Sequence, residues 1–115
     1  MSPRGEQAEQ LAHDYLLAQG LTPVARNYRS RFGEIDLILR EREMLVFVEV
    51  RLRSRADFGG AAASVTAAKQ ARLVATASQY LAQFSRPPPC RFDVVLLGAL
   101  EPAQIEWIKH AFDAS

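Results

Sequence analysis

Two hydrophobic segments joined by a short polar turn place the strongest constraint on the fold of this chain. Residues 33–39 and 45–51 both alternate with a period of two and are rich in aliphatic and β-branched side chains, a pattern that predicts two adjacent β-strands. Each segment nevertheless contains an interior carboxylate, Asp36 in the first and Glu49 in the second. Because a buried carboxylate is costly unless it is paired or binds a metal, these two residues require a physical explanation.

The register of the predicted hairpin follows from its turn. A two-residue turn at 42–43, or a four-residue turn at 41–44, pairs residues whose numbers sum to 85. This register sets Asp36 opposite Glu49 and Glu34 opposite Arg51. The other side then carries apolar side chains in facing pairs: Ile35 with Val50, Leu37 with Val48, and Leu39 with Val46. The pattern therefore predicts one wholly apolar face, as a one-sided core requires, and one face that holds the polar residues.

The facing carboxylates allow two interpretations. Directly opposed side chains in an antiparallel pair have Cβ atoms about 4.5–5.5 Å apart, and like charges at that separation repel. Two carboxylates that converge in a dry environment need a proton, a cationic side chain or a hard divalent cation such as Mg²⁺ between them. Spacing alone equally allows a cross-strand ion pair between Glu34 and Arg51, with Asp36 and Glu49 facing water. A bulge near the turn would change the register altogether.

An acidic residue on one strand, followed by Glu-x-basic on the next, resembles the PD-(D/E)xK nuclease superfamily. The surrounding sequence is similar to its bacterial YraN branch, which is related to archaeal Holliday junction resolvases. The blocks that carry this resemblance are Glu9 with Ala12, residues 25–29, 33–38 and 46–51, residues 59–65 with Lys69, and residues 91–95. The resemblance implies an α/β fold, restriction-endonuclease-like, in which a mixed central β-sheet is flanked by α-helices.

The resemblance also implies roles for particular residues. Asp36 and Glu49 would be the central ligands of Mg²⁺ or Mn²⁺, helped by the Val50 carbonyl and by Glu9 from the first helix. The superfamily has a lysine where this chain has Arg51. A buried lysine can lose its proton and orient the attacking water, whereas arginine stays charged and acts as a phosphate clamp.

Lys69 follows the predicted strands in the sequence and could supply the missing ammonium. Alternatively, Lys69 is a solvated residue on the second helix without a role in the site. We therefore consider Asp36, Glu49, Arg51 and Lys69 as the candidate catalytic residues.

Charge distribution suggests a nucleic-acid surface beside the hairpin. The formal net charge of +1 is too small to indicate nucleic-acid binding by itself. Basic residues cluster on both sides of the hairpin, however, as Arg26, Arg29 and Arg31 before it and as Arg53 and Arg55 beyond Arg51. They could form a phosphate track. The alternative is compositional, because twelve of the fourteen basic residues are arginine.

Length and composition predict a single domain over residues 1–115 with one core, and the resemblance implies that this domain is endonuclease-like. No run of eighteen apolar residues is present, so we expect no membrane span and no secretory signal. The lone Cys90 cannot form an internal disulfide, which agrees with a cytoplasmic location. It is interpreted as a small, partly buried residue at the entrance of a strand.

Periodicity and stop signals predict the remaining elements. Helices are expected over 6–19 and 65–83, the second capped by Ser64 or Thr66. Strands are expected over 22–31, 92–97 and 105–108, with parallel pairing where the second helix connects two strands. The glycine-containing segment 54–63 is expected to form a loop over the site.

The expected function is a metal-dependent endodeoxyribonuclease that hydrolyses phosphodiester bonds. Branched or recombination-intermediate DNA as the substrate, and a homodimer as the active form, are implied by the resemblance to the resolvases. The alternative is a catalytically inactive nucleic-acid-binding or protein-interaction module on the same fold, which Arg51 in place of lysine would favour. A third possibility is a structural protein with Arg51 in a buried ion-pair network.

Overall fold

The chain folds into one five-stranded sheet with two helices. A computed structural model describes residues 3–52, 65–100 and 103–114. The elements are α1 (Pro3–Ala18), β1 (Thr22–Ser30), β2 (Gly33–Glu41), β3 (Met44–Leu52), α2 (Ala67–Leu81), β4 (Cys90–Leu100) and β5 (Ala103–Phe112). The strands lie in sequence order across the sheet, and β3 and β4 are parallel while the other neighbours are antiparallel. The predicted α/β architecture, a restriction-endonuclease-like mixed sheet with flanking helices, is confirmed.

Helix α1 begins earlier than the sequence predicted, at Pro3 instead of residue 6. Proline is well tolerated in the first turn, because its missing N–H would have no partner there. The helix ends before Gly20, whose φ of 100° lies in the left-handed region that terminates helices. Buried Ala8, Ala12 and Leu16 form the apolar stripe that packs on the sheet. Neither helix of the described part is long and apolar enough to cross a membrane.

The hairpin of β2 and β3 has the predicted register. Five pairs from Leu37↔Val48 to Glu41↔Met44 all sum to 85. Arg42 adopts a φ of 56° in the turn between the strands. The two-residue turn at 42–43 is therefore the alternative that forms.

The prediction of one apolar and one polar face was wrong. Leu37 and Leu39 pack beneath α1, but Ile35 packs with Phe47 beneath α2. Since residues two apart lie on one face of a regular strand, β2 changes face at Asp36. Both faces of the hairpin are covered because a helix packs on each side of the sheet, which a period-two pattern alone does not reveal.

Helix α2 covers the second face and is capped by Thr66, whose side-chain oxygen accepts a hydrogen bond from the Lys69 N–H. This agrees with one of the two predicted caps, while Ser64 lies outside the described residues. Leu73 and Ala77 are buried against the sheet. The chain returns in β4, whose parallel pairing with β3 was predicted from the intervening helix. Cys90, at the start of β4, is a free and partly buried thiol.

The last strand is longer than predicted, because it pairs with β4 nearly throughout its length. A buried carboxylate fastens the two strands together. Asp93 is 1% exposed and accepts hydrogen bonds from Trp107 Nε1 at 2.9 Å, from the His110 N–H at 2.9 Å and from Arg91 Nε at 3.0 Å. Arg91 also forms an ion pair with Glu41 at 2.8 Å. The carboxylate is thus fully satisfied, as a buried charge requires.

Asp93→Asn should destabilise the fold, because the amide group cannot accept from all these donors and leaves the Arg91 charge partly uncompensated. We expect the free energy of unfolding to fall by about 2–4 kcal/mol, measured by urea denaturation. Asp113→Asn, which alters an exposed carboxylate paired with His110, is the matched control and should change it by less than about 1 kcal/mol. Equal effects of the two substitutions would contradict the role assigned to Asp93.

Candidate metal centre

The site is built where β2 and β3 separate. The paired residues of the two strands extend from the turn as far as Leu37↔Val48. Beyond this pair, the Asp36 side chain bonds to the backbone of β3. Its Oδ2 accepts a hydrogen bond from the Val50 N–H at 2.8 Å. A short carboxylate therefore replaces a backbone carbonyl as the partner of β3, and its position is fixed by the sheet.

Three carboxylates converge at this point from two elements. Glu9 on α1 and Glu34 and Asp36 on β2 each present an oxygen, and these oxygens all lie within 4.8 Å of one another. Glu9 is only 4% exposed, although a glutamate side chain in water is charged at neutral pH. A distance of this order allows one ion to contact all three side chains.

Asn27 holds two of these carboxylates in position. Its Nδ2 donates to Glu9 Oε1 at 2.9 Å and lies 3.3 Å from Glu34 Oε1. The residue adopts a φ of 51° within β1, a conformation that asparagine tolerates better than most residues. The amide thus links α1 to β2 through their acidic side chains.

Glu49 extends the acidic group along β3. It is 7% exposed and shares a hydrogen bond with Asp36. Burial, the hydrogen bond to Glu49 and the charge of Glu49 together raise the pKa of Asp36 to about 8, although the Val50 N–H opposes this shift. Burial also raises the pKa of Glu9. Asp36 therefore retains a proton at neutral pH when no cation neutralises the acidic cluster.

Arginine side chains neutralise only part of this charge. Arg29 Nε lies 2.7 Å from Glu34 Oε2, whereas Arg26 NH2 is 3.9 Å from Glu9. The Glu34–Arg51 ion pair that spacing allowed is replaced by the Glu34–Arg29 pair. Within the described residues Arg51 forms no ion pair or side-chain hydrogen bond, so the buried ion-pair network proposed for a purely structural protein is not supported there.

An open cleft of about 510 Å³ contains most of the sequence-predicted site residues. Its lining includes Glu9, Arg29, Asp36, Glu49, Val50, Arg51 and Lys69. The cleft thus lies between the first turns of α1 and α2, and it brings together the predicted ligands and both candidate cationic residues. The roles assigned to them remain predictions.

Arg26 and Arg31 are not among the residues that line the cleft. Arg26 is exposed on β1, where its NH1 donates to Gln10. Arg31 is exposed in the turn after β1. Arg53, Arg55 and the loop predicted over 54–63 lie outside the described residues.

Sequence reasoning missed two residues of this site. It placed Glu34 in an ion pair with Arg51, although the spacing of two from Asp36 was a signal that both could face one site. It gave no role to Asn27, because the chain contains no local sign that this amide meets an acid eighteen residues earlier. Both contacts depend on how α1 packs against the first two strands.

The fold and site define a restriction-endonuclease-like protein with an acidic cluster at the opening of its central hairpin. The chain belongs to the uncharacterised protein family UPF0102, whose family model matches residues 8–97. It is 61% identical over 112 residues to a UPF0102 protein of Cupriavidus taiwanensis, and the aligned region covers 96% of this chain and 83% of that protein. It is 57% identical to a UPF0102 protein of Nitrosomonas europaea, with 97% and 95% covered, and 54% identical to one of Methylobacillus flagellatus, with 99% and 100% covered.

The raised pKa of Asp36 predicts how stability depends on pH. The folded protein holds this proton up to about pH 8, whereas the unfolded chain releases it near pH 4. The contribution to stability is therefore complete below about pH 4 and is lost as the pH rises through 8. In the presence of a chelator, the melting temperature should fall over this interval.

Asp36→Asn should flatten this pH dependence and raise the melting temperature at pH 8 by a few degrees, which corresponds to about 1 kcal/mol. The amide still accepts from the Val50 N–H and can donate to Glu49, and it adds no charge. Asp14→Asn, on the exposed side of α1, is the control and should leave the slope unchanged. A lower melting temperature for Asp36→Asn at pH 8 would contradict this reasoning.

Proposed function

We propose that this protein is a metal-dependent endodeoxyribonuclease, a hydrolase that acts on phosphodiester bonds through a single domain. The observation that carries the proposal is the convergence of Glu9, Glu34 and Asp36 within 4.8 Å, next to the hydrogen-bonded Glu49 and in a cleft that also contains Arg51 and Lys69. A site with several carboxylates and nearby cationic side chains is suited to hold a metal ion and a phosphate together.

The donor set favours Mg²⁺ or Mn²⁺. Carboxylate oxygens are the ligands of hard divalent cations, and the described lining of the cleft contains no histidine or cysteine that would favour zinc. Glu9, Asp36 and Glu49, with the Val50 carbonyl, are the ligands implied by the family resemblance, and Glu34 adds a further carboxylate. The bound cation would replace the proton that Asp36 retains.

The residues around the metal have distinct roles in this proposal. The metal ion would lower the pKa of a bound water and offset charge in the transition state. Arg51 would bind a phosphate oxygen as a permanently charged group. Lys69, in the first turn of α2 and beside the same cleft, would supply an ammonium that can orient the attacking water. Asn27 and the Val50 N–H would keep the acidic side chains in place.

DNA is the partner in this proposal, and Arg26, Arg29 and Arg31 are its candidate phosphate contacts beside the cleft. Arg29 has to be shared between Glu34 and the substrate. Branched DNA, a homodimeric active form and a cytoplasmic location belong to the same proposal and rest on the resemblance to the resolvases and on the lone cysteine.

A second candidate function is a module that binds nucleic acid or protein without turnover. The observation that favours it is Arg51, which stands where the superfamily has a lysine. If Lys69 does not replace that lysine, the site could bind DNA without cutting it.

Cleavage assays on labelled four-way junction, linear duplex and single-stranded DNA with Mg²⁺ or Mn²⁺ separate the two functions. For the nuclease, Asp36→Asn should reduce the cleavage rate by at least about 100-fold, because loss of a ligand removes transition-state stabilisation of about 3 kcal/mol or more, while DNA binding is retained. Asp14→Asn should cut like the wild type. Binding without cutting, unchanged by a chelator, would support the module, and cutting retained by Asp36→Asn would overturn the proposed site.

Calorimetry with Mn²⁺ tests the metal site without DNA. Because the metal has to displace the proton on Asp36, the affinity for Mn²⁺ should rise by about tenfold per pH unit as the pH approaches 8. Glu9→Gln and Asp36→Asn should each weaken binding, and Asp14→Asn should not. An affinity that does not change between pH 6 and pH 8 would contradict proton displacement at Asp36.

A further inference from the structure

An exposed aromatic ring stands beside the acidic cleft. Phe32, in the turn between β1 and β2, is 40% exposed. The guanidinium carbon of Arg31 lies 4.8 Å from the centre of its ring. Only Val24 is a comparably exposed large hydrophobic residue in the described part of the chain, and it lies near the other end of β1. The exposure of Phe32 is therefore not a general property of this surface.

The ring borders a groove that continues from the acidic cleft. The groove has a volume of about 380 Å³ and is lined by Phe32, Gly33, Lys69, Arg72 and Leu73 together with two acidic residues. Those two, Glu34 and Glu49, also line the acidic cleft, as does Lys69. Because only Gly33 separates Phe32 from Glu34 in the sequence, the Cα atoms of Phe32 and Glu34 are at most about 7 Å apart. A ligand in the groove would be directly adjacent to the metal ligands.

The turn that carries Phe32 is anchored to α2. Ser30 Oγ accepts from the Phe32 N–H at 3.0 Å and is hydrogen-bonded to Thr76 Oγ1 at 2.9 Å. Thr76 is fully buried on α2. A Cβ placed on Gly33 would lie 3.6 Å from the Cβ of Arg72, which shows how closely the turn approaches the helix. The ring is thus presented by a fixed support, which reduces the entropy lost when a flat ligand stacks on it.

We propose that this groove binds one unpaired nucleotide of a DNA strand, with the base stacked on Phe32. The inference rests on the proposed function, in which the neighbouring phosphate occupies the acidic cleft. A base in a continuous duplex has both faces covered by its neighbours, so only an unpaired or displaced nucleotide can present a face to the ring. The substrate class is therefore DNA in which duplex and unpaired nucleotides meet.

The charges around the groove agree with this orientation. Glu34 and Glu49 line it on the side of the acidic cleft and would repel a phosphate placed there without a metal. The exposed Arg31 and Arg72, and the half-buried Lys69, provide positive charge for the flanking phosphates. An uncharged base over Phe32, with phosphates on the cationic residues, satisfies both requirements.

Equilibrium binding to a forked DNA and to a fully paired duplex of the same sequence tests the proposal. The fork carries 2-aminopurine at its first unpaired position, and Ca²⁺ replaces Mg²⁺ so that affinity is measured separately from cleavage. Wild type should prefer the fork. Phe32→Ala should weaken fork binding by about 5- to 100-fold, the range expected for loss of one stacked base, and change duplex binding by less than about twofold. In the Phe32→Ala variant, the fluorescence of 2-aminopurine should no longer change on binding.

Two variants serve as controls. Phe32→Trp retains a stacking surface and should keep the preference for the fork. Val24→Ala removes the other exposed hydrophobic side chain and should behave like wild type. Melting temperatures of all three variants should match that of wild type, because both positions are exposed.

The proposal is overturned if Phe32→Ala affects fork and duplex equally, if it affects neither, or if neither DNA is bound. It is also overturned if the substitution instead dissociates a dimer in sedimentation velocity, since the ring would then be an interface between copies. Cleavage is scored separately. Fork binding that depends on Phe32 but is never followed by cutting would keep this inference and reject the nuclease. Cutting that is unaffected by Phe32→Ala would keep the nuclease and reject this inference.

Discussion

The hydrogen bond from the Val50 N–H to the Asp36 carboxylate determines the geometry of this protein's acidic site. It replaces a backbone pair at the point where β2 and β3 stop pairing. The two strands can therefore separate without leaving that N–H unpaired, and the opening admits Glu9 from α1. Without this side-chain bond, the Val50 N–H would lose its partner at the point where β2 and β3 stop pairing.

The same arrangement concentrates negative charge in a partly dry environment. Glu9 and Glu49 are almost fully buried, and among the described arginines Arg29 approaches the cluster most closely, at Glu34. Asp36 responds by retaining a proton. In contrast, the buried Asp93 on β4 has a partner for each of its oxygens. Asp93 is thus neutralised by groups of the protein itself, whereas the acidic cluster around Asp36 could bind a metal ion.

The turn between β1 and β2 connects this site to the outer surface. Its contact with α2 through Ser30 and Thr76 fixes both the exposed Phe32 and the start of β2. Glu34 therefore follows a rigid support and is oriented by Asn27 and Arg29 on β1. The first three strands and the N-terminal halves of both helices thus form the site, while β4 and β5 support the sheet.

The sequence by itself determined the features that depend on near neighbours. The hairpin register followed from its turn and period, and the parallel pairing of β4 followed from the intervening helix. Thr66 was one of two predicted caps of α2, which begins at Ala67 and not at the predicted residue 65. Family blocks distributed along the chain indicated the fold. These signals are local or repeat in a fixed order, so they can be read without knowing how the elements pack.

Only the tertiary structure decided which side chains share the site. Glu34 joins Glu9 because Asn27 bridges them, Ile35 lies beneath α2 because β2 changes face, and Arg51 is left without an ion pair in the described structure. Each outcome depends on the packing of a helix against a strand that is distant in the sequence. Periodicity records which face a residue occupies along one strand, but it carries no information about the partner that packing brings to that face.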